Sequence, residues 1–525
     1  MPEHVDRPQT TWTPTRRQVL QAGVVGAAAL GASTVGGPAA RAGSPRTGPV
    51  RQPFTLGVAS GDPLPEGVVL WTRLAPEPLA EGGLGGMPDR PVAVQWEVAT
   101  DEAFGNVVAR GAEIARADQA HSVHVEVTRL QPATEYFYRF RTGSEISPTG
   151  RTRTAPRPGQ RTDRFAFAFA SCQNYPAGYY TAYAHMAQED LDLVAFLGDY
   201  LYTGPGQGTI GRGWVPAREV MTLPDYRQRF GLVKADADLQ AAHAAFPWMV
   251  TFDDHEVANN WAGDDMDPDV PVAEFRARRA AAFQAYYEHM PVRRAQRPTG
   301  PALQIHRRLT FGDLLDFYVL DTRQYRSDQV PQARRAEPGR TMLGEQQERW
   351  LTSALAGPTA RWNVLAQQVV FSQRDFTSGP EQTFNDDSWD DYPVARNRLR
   401  DHLAAVGTSN PVILTGDVHM NYVCDVKADF DDPGSRTVAT ELVGTSISSE
   451  GDGKANPAGD AKQMTENPHI TFINRDRGYV RNVVTPAGWT ADFRTVEVVS
   501  RPGAPVRTEA SFVIADGRPG AVRAS

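Results

Sequence analysis

From residue 165 onward, six short apolar runs each stop on residues able to bind a metal ion or a phosphate group. Run 165–170 leads into Ser171-Cys172-Gln173-Asn174, and run 193–198 into Asp199-Tyr200-Leu201-Tyr202. Run 248–252 is followed by Asp253-Asp254-His255-Glu256, and run 317–320 by Asp321-Thr322-Arg323. The last two, 362–366 and 411–416, give way to Gln367-Gln368 and to Asp417-Val418-His419. Thiolate, phenol, imidazole, carboxylate and amide oxygen together span the soft and hard metal ligands. Asp199 and Tyr202 are close enough in one turn to reach one ion. Asp417 and His419 are two apart, which on an extended chain puts both on one side. Three carboxylates around His255 repel one another unless a cation sits nearby. Singly, a strand-end Asp is ordinarily a helix cap and a lone Cys a buried hydrophobe; together the six endings point to a metal site.

Such endings need a sheet to hold them. The runs alternate with helical segments, including 272–289 and 344–355, the pattern of an α/β domain. In α/β sheets, ligands bind beyond the carboxyl ends of the strands. Ahead of them, residues 54–153 read as all-β, with runs at 68–72, 92–98, 123–127 and 136–140. Leu130-Gln131-Pro132-Ala133-Thr134-Glu135-Tyr136 resembles the tyrosine corner of a fibronectin type III sandwich. Residues 154–164 form a Pro/Arg-rich linker. The Gly-rich segment 204–213 has no strand entering it and no helix leaving it, so a mobile surface loop is expected and not a nucleotide cradle. Residues 481–514 look β-rich and the last ten frayed.

Composition narrows the function classes. Of 525 residues, 41% are apolar and 22% charged, which excludes a fibre or a wholly disordered chain. The net charge of −8, without a basic stripe, leaves a nucleic-acid partner no electrostatic footprint. Two cysteines are too few for a disulfide scaffold, and Cys172 is expected to be free of Cys424. At the N-terminus, Arg16-Arg17 precede the uncharged, weakly hydrophobic stretch 18–40, which closes on Ala40-Arg41-Ala42. Residues 1–42 thus resemble a twin-arginine signal, read by the export machinery that carries folded proteins. The mature chain is expected to be secreted, without a transmembrane anchor. The acidic segment 385–391 reads either as a solvated loop or as an extra cation site.

At these endings the chain resembles the calcineurin-like metallophosphoesterase superfamily and, within it, the PhoD-like alkaline phosphatases. Gly198-Asp199-Tyr200-Leu201-Tyr202 matches the superfamily pattern unaltered. Cys172 stands where purple acid phosphatases carry an aspartate, Asp254 where an asparagine ligand falls, and Gln368 and Asp417 where histidines do. These departures belong to the PhoD-like group, as do Leu320-Asp321-Thr322-Arg323-Gln324-Tyr325-Arg326 and the segment 253–260. The resemblance implies an αββα metallophosphoesterase sandwich at 164–515 behind a fibronectin-III-like β-sandwich at 53–155. It also implies Fe(III) held by Cys172, Tyr202 and His419, with Asp199 bridging. Asp254, Gln368 and Asp417 make the other side all-oxygen, which suits one or two Ca²⁺ ions. Zinc is the alternative to iron by ligand type. His255 would face the leaving group, and Arg323, Asn260 and Asn174 would contact the phosphate. The implied activity is hydrolysis of phosphomonoesters and phosphodiesters at alkaline pH by a metal-activated water. Substrates could be small phosphoesters, nucleotides, wall polymers or phospholipids. The alternatives are a Ca²⁺-dependent phospholipase D and an inactive binder of a wall polymer.

Overall fold

The computed structural model describes residues 51–524, so the segment 1–42 with Arg16 and Arg17, expected to be an export signal, lies outside the described residues. All six apolar runs are strands. Phe165–Ala170, Leu193–Phe196 and Pro247–Val250 lie side by side and parallel in a ten-stranded sheet. Leu315–Val319, Trp362–Ala366 and Pro411–Thr415 do the same in a seven-stranded sheet. Within each triplet the strands run the same way, so their carboxyl ends share one edge.

Strand alternation sorts the side chains between layers. Phe165, Phe167, Phe169, Leu193 and Ala195 enter a core shared with Leu315, Phe317, Trp362, Val364 and Val412 of the other sheet. Phe167 meets Phe317 edge-on at 5.1 Å between ring centroids, and Trp489 at 5.4 Å. The intervening Ala166, Ala168, Val194 and Trp248 face the helices Leu223–Lys234, Ala237–Ala245 and Val272–His289. A capping box starts the first of these: Thr222 accepts the N–H of Asp225, whose carboxylate accepts that of Thr222. On the opposite side, Tyr318, Leu365 and Ile413 pack with the helices Gly344–Ala356 and Pro393–Val406. The architecture is the expected αββα sandwich.

The N-terminal β-sandwich has one sheet of its own and one that it shares. Val92–Ala99, Val107–Ala115, Glu135–Thr142, Glu145–Ile146 and Gly150–Arg153 form a five-stranded sheet. Val58–Leu64, Gly67–Arg73 and Ser122–Val127 instead extend the ten-stranded sheet, with Ser60 paired in parallel with Pro247. Gly61 permits that join, because a Cβ there would run into the carbonyl oxygens of Pro291 and Trp248. Val68, Leu70 and Val125 pack against Val94, Tyr138 and Phe140 between the two sheets. The Tyr136 hydroxyl accepts the N–H of Gln131 at 2.9 Å, the tie expected of a tyrosine corner.

Two expectations need correcting. The C-terminal residues are not frayed: Arg518–Arg523 pairs with Val506–Ala515 across the two-residue turn Asp516-Gly517. Gly517, at φ +72°, takes the left-handed position that such a tight turn needs, and so Asp-Gly is a strong hairpin signal. The segment 204–213 is irregular but fastened: Arg212 bonds Asp236 at 3.0 Å and stacks 3.7 Å over the Tyr175 ring. No helix among the described residues is long and apolar enough to cross a membrane.

The core between the sheets carries a measurable load. Phe167→Ala should lower the unfolding free energy by about 3–5 kcal/mol, read by denaturant titration. A loss under about 1 kcal/mol would contradict this packing.

Candidate metal centre

At the carboxyl edge of the sheets the chain turns so abruptly that four of the expected ligands sit in the left-handed region. Cys172 has φ +59°, Asp199 +60°, Asp417 +63° and His419 +54°. Side-chain-bearing residues adopt such values rarely, at a cost of order 1–3 kcal/mol each, and such strain clusters at functional sites. Gly198, at φ +112°, leaves no room for a Cβ beside Asp253, and so lets the Asp199 and Asp253 loops meet.

Three groups of ligand atoms result, each within 4.8 Å: Cys172 with Asp199 and His419, Asp199 with Asp254 and His255, and Asp253 with Asp254 and Asp417. Asp199 belongs to the first two groups and Asp254 to the last two. Tyr202 joins the first: its hydroxyl donates to Asp199 Oδ2 at 2.9 Å and lies 3.2 Å from His419 Nε2. Both cysteines are free and buried, so Cys172 has its thiol available.

Groups outside the expected set hold these loops in place. The Glu256 carboxylate accepts the backbone N–H groups of Asp199 at 3.0 Å, Tyr200 at 2.7 Å and Asp253 at 2.9 Å. Ser449 Oγ lies 2.6 Å from the Tyr202 hydroxyl and donates to the Cys172 carbonyl at 2.8 Å. Glu450 sits 3.3 Å from His419 Nδ1. Glu256 was visible in the sequence only as one more acid. Ser449 and Glu450 follow the strand Thr437–Val443, whose ending Gly444-Thr445-Ser446 carries no ligand signal.

Electrostatics at this edge favour a cation. Burial, then the charges of Asp254 and Asp253, push Asp199 well above the usual carboxylate range. Asp417 is raised by burial and by Asp253, and Asp253 goes up to about 7 through burial, against the pull of Arg323. Asp254 is also buried, yet His255 and Arg323 hold it below that range. Burial and the neighbouring Asp199 push up the Cys172 thiol and the Tyr202 phenol. Two like charges 4 Å apart repel by about 4 kcal/mol at an effective dielectric constant of about 20. A bound cation attracts each of these acids and favours its charged form, so a carboxylate oxygen without another partner is suited to be its ligand. Asp253 Oδ2 and Asp254 Oδ1 fit that role, being buried with no hydrogen-bond partner.

Of the other expected site residues, His255 is half-buried, with its ring 4.1 Å from that of Tyr202 and its backbone N–H donating to Asp199 Oδ1 at 3.4 Å. Asn174 is half-buried near Ser449, and its Oδ1 lacks a partner. Asn260 is exposed, and its backbone N–H donates to Asp254 Oδ2 at 2.7 Å. Gln368 is not free to ligate. Its Oε1 accepts from Thr322 Oγ1 at 2.6 Å and Thr322 N at 3.2 Å, and its Nε2 donates to Thr251 Oγ1 and the Leu320 carbonyl. Arg323 is not open to a phosphate either. Fully buried, it pairs with Asp253 at 2.5 Å and with both oxygens of Asp387.

Stacked sheets that deliver a cluster of carboxylates, imidazoles, a thiol and a phenol to one strand edge define a phosphoester hydrolase of the αββα class. The chain belongs to the PhoD-like phosphatase family: the sequence model of that phosphatase matches residues 167–493, and the model of its N-terminal domain residues 39–156. It is 50% identical over 472 residues to alkaline phosphatase D of Bacillus subtilis (strain 168), covering 88% of this chain and 80% of that one. A solved structure of PhoD superposes with a TM-score of 0.87 at 49% identity, over 90% of this chain and 92% of the other.

Because Glu256 ties the Asp199 and Asp253 loops together, Glu256→Gln should cost about 1.5–3 kcal/mol of stability and reduce the metal content of the purified protein. Denaturant titration and elemental analysis read the two effects. An unchanged value in both would contradict the bracing role.

Proposed function

We propose that this chain is an exported, cation-dependent phosphoesterase that hydrolyses phosphomonoesters and phosphodiesters at alkaline pH. The observation that carries the reading is the sharing of ligands: Asp199 and Asp254 each belong to two groups able to hold an ion. Membership of a phosphatase family and the similarity to a protein named alkaline phosphatase D support the substrate class and the pH range.

Cys172, Asp199, Tyr202 and His419 would hold Fe(III), for which phenolate and thiolate are suitable ligands, with zinc as the alternative. Asp254 and Asp417 would hold Ca²⁺, with Asp253 taking the place expected for Gln368. Bound there, the cations would neutralise charge on the phosphoryl oxygens and lower the pKa of a water. The chain's own residues set the geometry. Asp199 spaces the two sides, and Glu256 fixes Asp199 through the backbone. Tyr202 is kept between Asp199 and His419 by its hydrogen bonds. His255, packed on Tyr202 and 4.0 Å from Asp254, is the proposed hydrogen-bond donor to the leaving oxygen. With Arg323 engaged elsewhere, Asn174 and Asn260 are the remaining candidates for contact with the phosphate.

Hydrolysis of an aryl phosphomonoester, an aryl phosphodiester and phosphatidylcholine should be compared with and without chelator and added Ca²⁺. Both aryl esters should turn over at alkaline pH, stop on chelation and resume with Ca²⁺. Full activity after chelation would contradict the calcium assignment. Choline release far faster than aryl ester cleavage would make the enzyme a phospholipase D, and no turnover of any ester would contradict the substrate class. The proposed export has its own test: Arg16→Lys with Arg17→Lys should retain active protein in the cytoplasm, and normal secretion of that variant would contradict the twin-arginine route.

A further inference from the structure

The acidic segment 385–391 is neither a solvated loop nor a cation site, because its buried acids each hold an arginine. Asp390 pairs with Arg396 at 2.5 Å, and Asp391 pairs with Arg340. Asp387 reaches further. Its two oxygens accept from Nη1 and Nη2 of Arg323 at 2.7 and 2.8 Å, while Arg326 grips the same carboxylate and donates to the Asp387 carbonyl at 3.0 Å. The Arg323 Nε–H donates to Asp253 Oδ1 at 2.5 Å. Arg323 Nη2 stands 3.6 Å from Asp254 Oδ1, outside hydrogen-bonding distance, and that oxygen is buried without a hydrogen-bond partner.

We propose that Asp387 is a positioning residue acting through Arg323: by taking the guanidinium with both oxygens it keeps Nη2 off Asp254 and reserves Asp254 Oδ1 for a hard divalent cation. The inference rests on the reading of Asp253, Asp254 and Asp417 as a cation-binding group. A guanidinium is a rigid planar fork, and a bidentate carboxylate fixes its plane. Without the Asp387 charge, the buried Arg323 would keep only Asp253 as a partner. A buried charge short of partners is costly, and it turns to the nearest carboxylate. Here that is Asp254. The guanidinium and the divalent cation would then compete for one oxygen, and their like charges would repel. Arg326 matters because it holds Asp387 from behind, so the carboxylate cannot follow Arg323 toward Asp254.

The test is Ca²⁺ binding to the chelator-treated full chain by calorimetry, which needs no turnover. Asp387→Asn should raise the Kd for Ca²⁺ by about tenfold or more, the range seen when a residue that orients a metal ligand is lost. The double variant Arg323→Gln with Asp387→Asn should recover the wild-type Kd or a lower one, because the competing guanidinium is gone. A purely structural role for Asp387 predicts the reverse, with the second substitution adding to the first. An unchanged Kd in folded Asp387→Asn, or a double variant as weak as the single one, overturns the proposal. Should Asp387→Asn fail to fold, Arg323→Gln alone, which keeps the buried Arg326 paired with Asp387, is compared with wild type directly, and weaker binding overturns it. No Ca²⁺ uptake by the wild-type chain would overturn the cation reading and this inference with it. Uptake that Asp387 does not influence would overturn this inference alone.

Discussion

Negative charge gathered at one edge of two sheets is the constraint to which the rest of this molecule answers. Asp199, Asp253, Asp254 and Asp417 meet there, mostly buried, with the Arg323 guanidinium bonded to Asp253 and 3.6 Å from Asp254. Such a set is stable only with protons or cations to match it. Burial and mutual repulsion drive Asp199 and Asp417 toward protonation, whereas the unpartnered oxygens of Asp253 and Asp254 suit an ion. A second ring of residues keeps the loops in register under that load. Glu256 gathers three backbone N–H groups, Ser449 ties Tyr202 to the Cys172 loop, and Asp387 engages Arg323. Glu256 and Ser449 hold candidate ligand loops and Asp387 holds the arginine beside them, an arrangement common around metal ligands.

The scaffold explains how strained turns can persist. Left-handed backbone at Cys172, Asp199, Asp417 and His419 has to be over-determined by its surroundings. The aromatic core between the sheets supplies a rigid base directly beneath the strand ends. The N-terminal sandwich adds to it, because Val58–Leu64 pairs with Pro247–Val250, the strand that leads to Asp253, Asp254 and Glu256. That sandwich is therefore an extension of the catalytic sheet, and its join to the sheet depends on Gly61.

The strands that carry the site were legible because strands buried on both faces read as continuous apolar runs. Their polar endings stood out against that background, and Cys172, Asp199, Tyr202, Asp254, Asp417 and His419 converge as their spacing and the family resemblance indicated. Gln368 and Arg323 reach the expected edge of the sheet, with their polar atoms already bonded within the protein. The partners that decide their roles are remote in sequence: Thr322 and Thr251 for Gln368, Asp253 and Asp387 for Arg323. Spacing along the chain carries no information about such pairs. Ser449 was hidden for a different reason, since a serine among small residues announces nothing until Tyr202 folds against it. The parallel pairing of Ser60 with Pro247 was illegible as well, because a strand does not encode which remote edge it will extend. By contrast, the C-terminal hairpin is legible in the sequence, through the Asp516-Gly517 pair at its turn.

Element-specific anomalous diffraction from crystals of protein purified without added metal tests the central claim most directly. The account predicts a transition-metal peak among Cys172, Asp199, Tyr202 and His419, and a lighter cation against Asp254 and Asp417. A map with neither peak, in which the four carboxylates share protons and hydrogen-bond to one another, would contradict it.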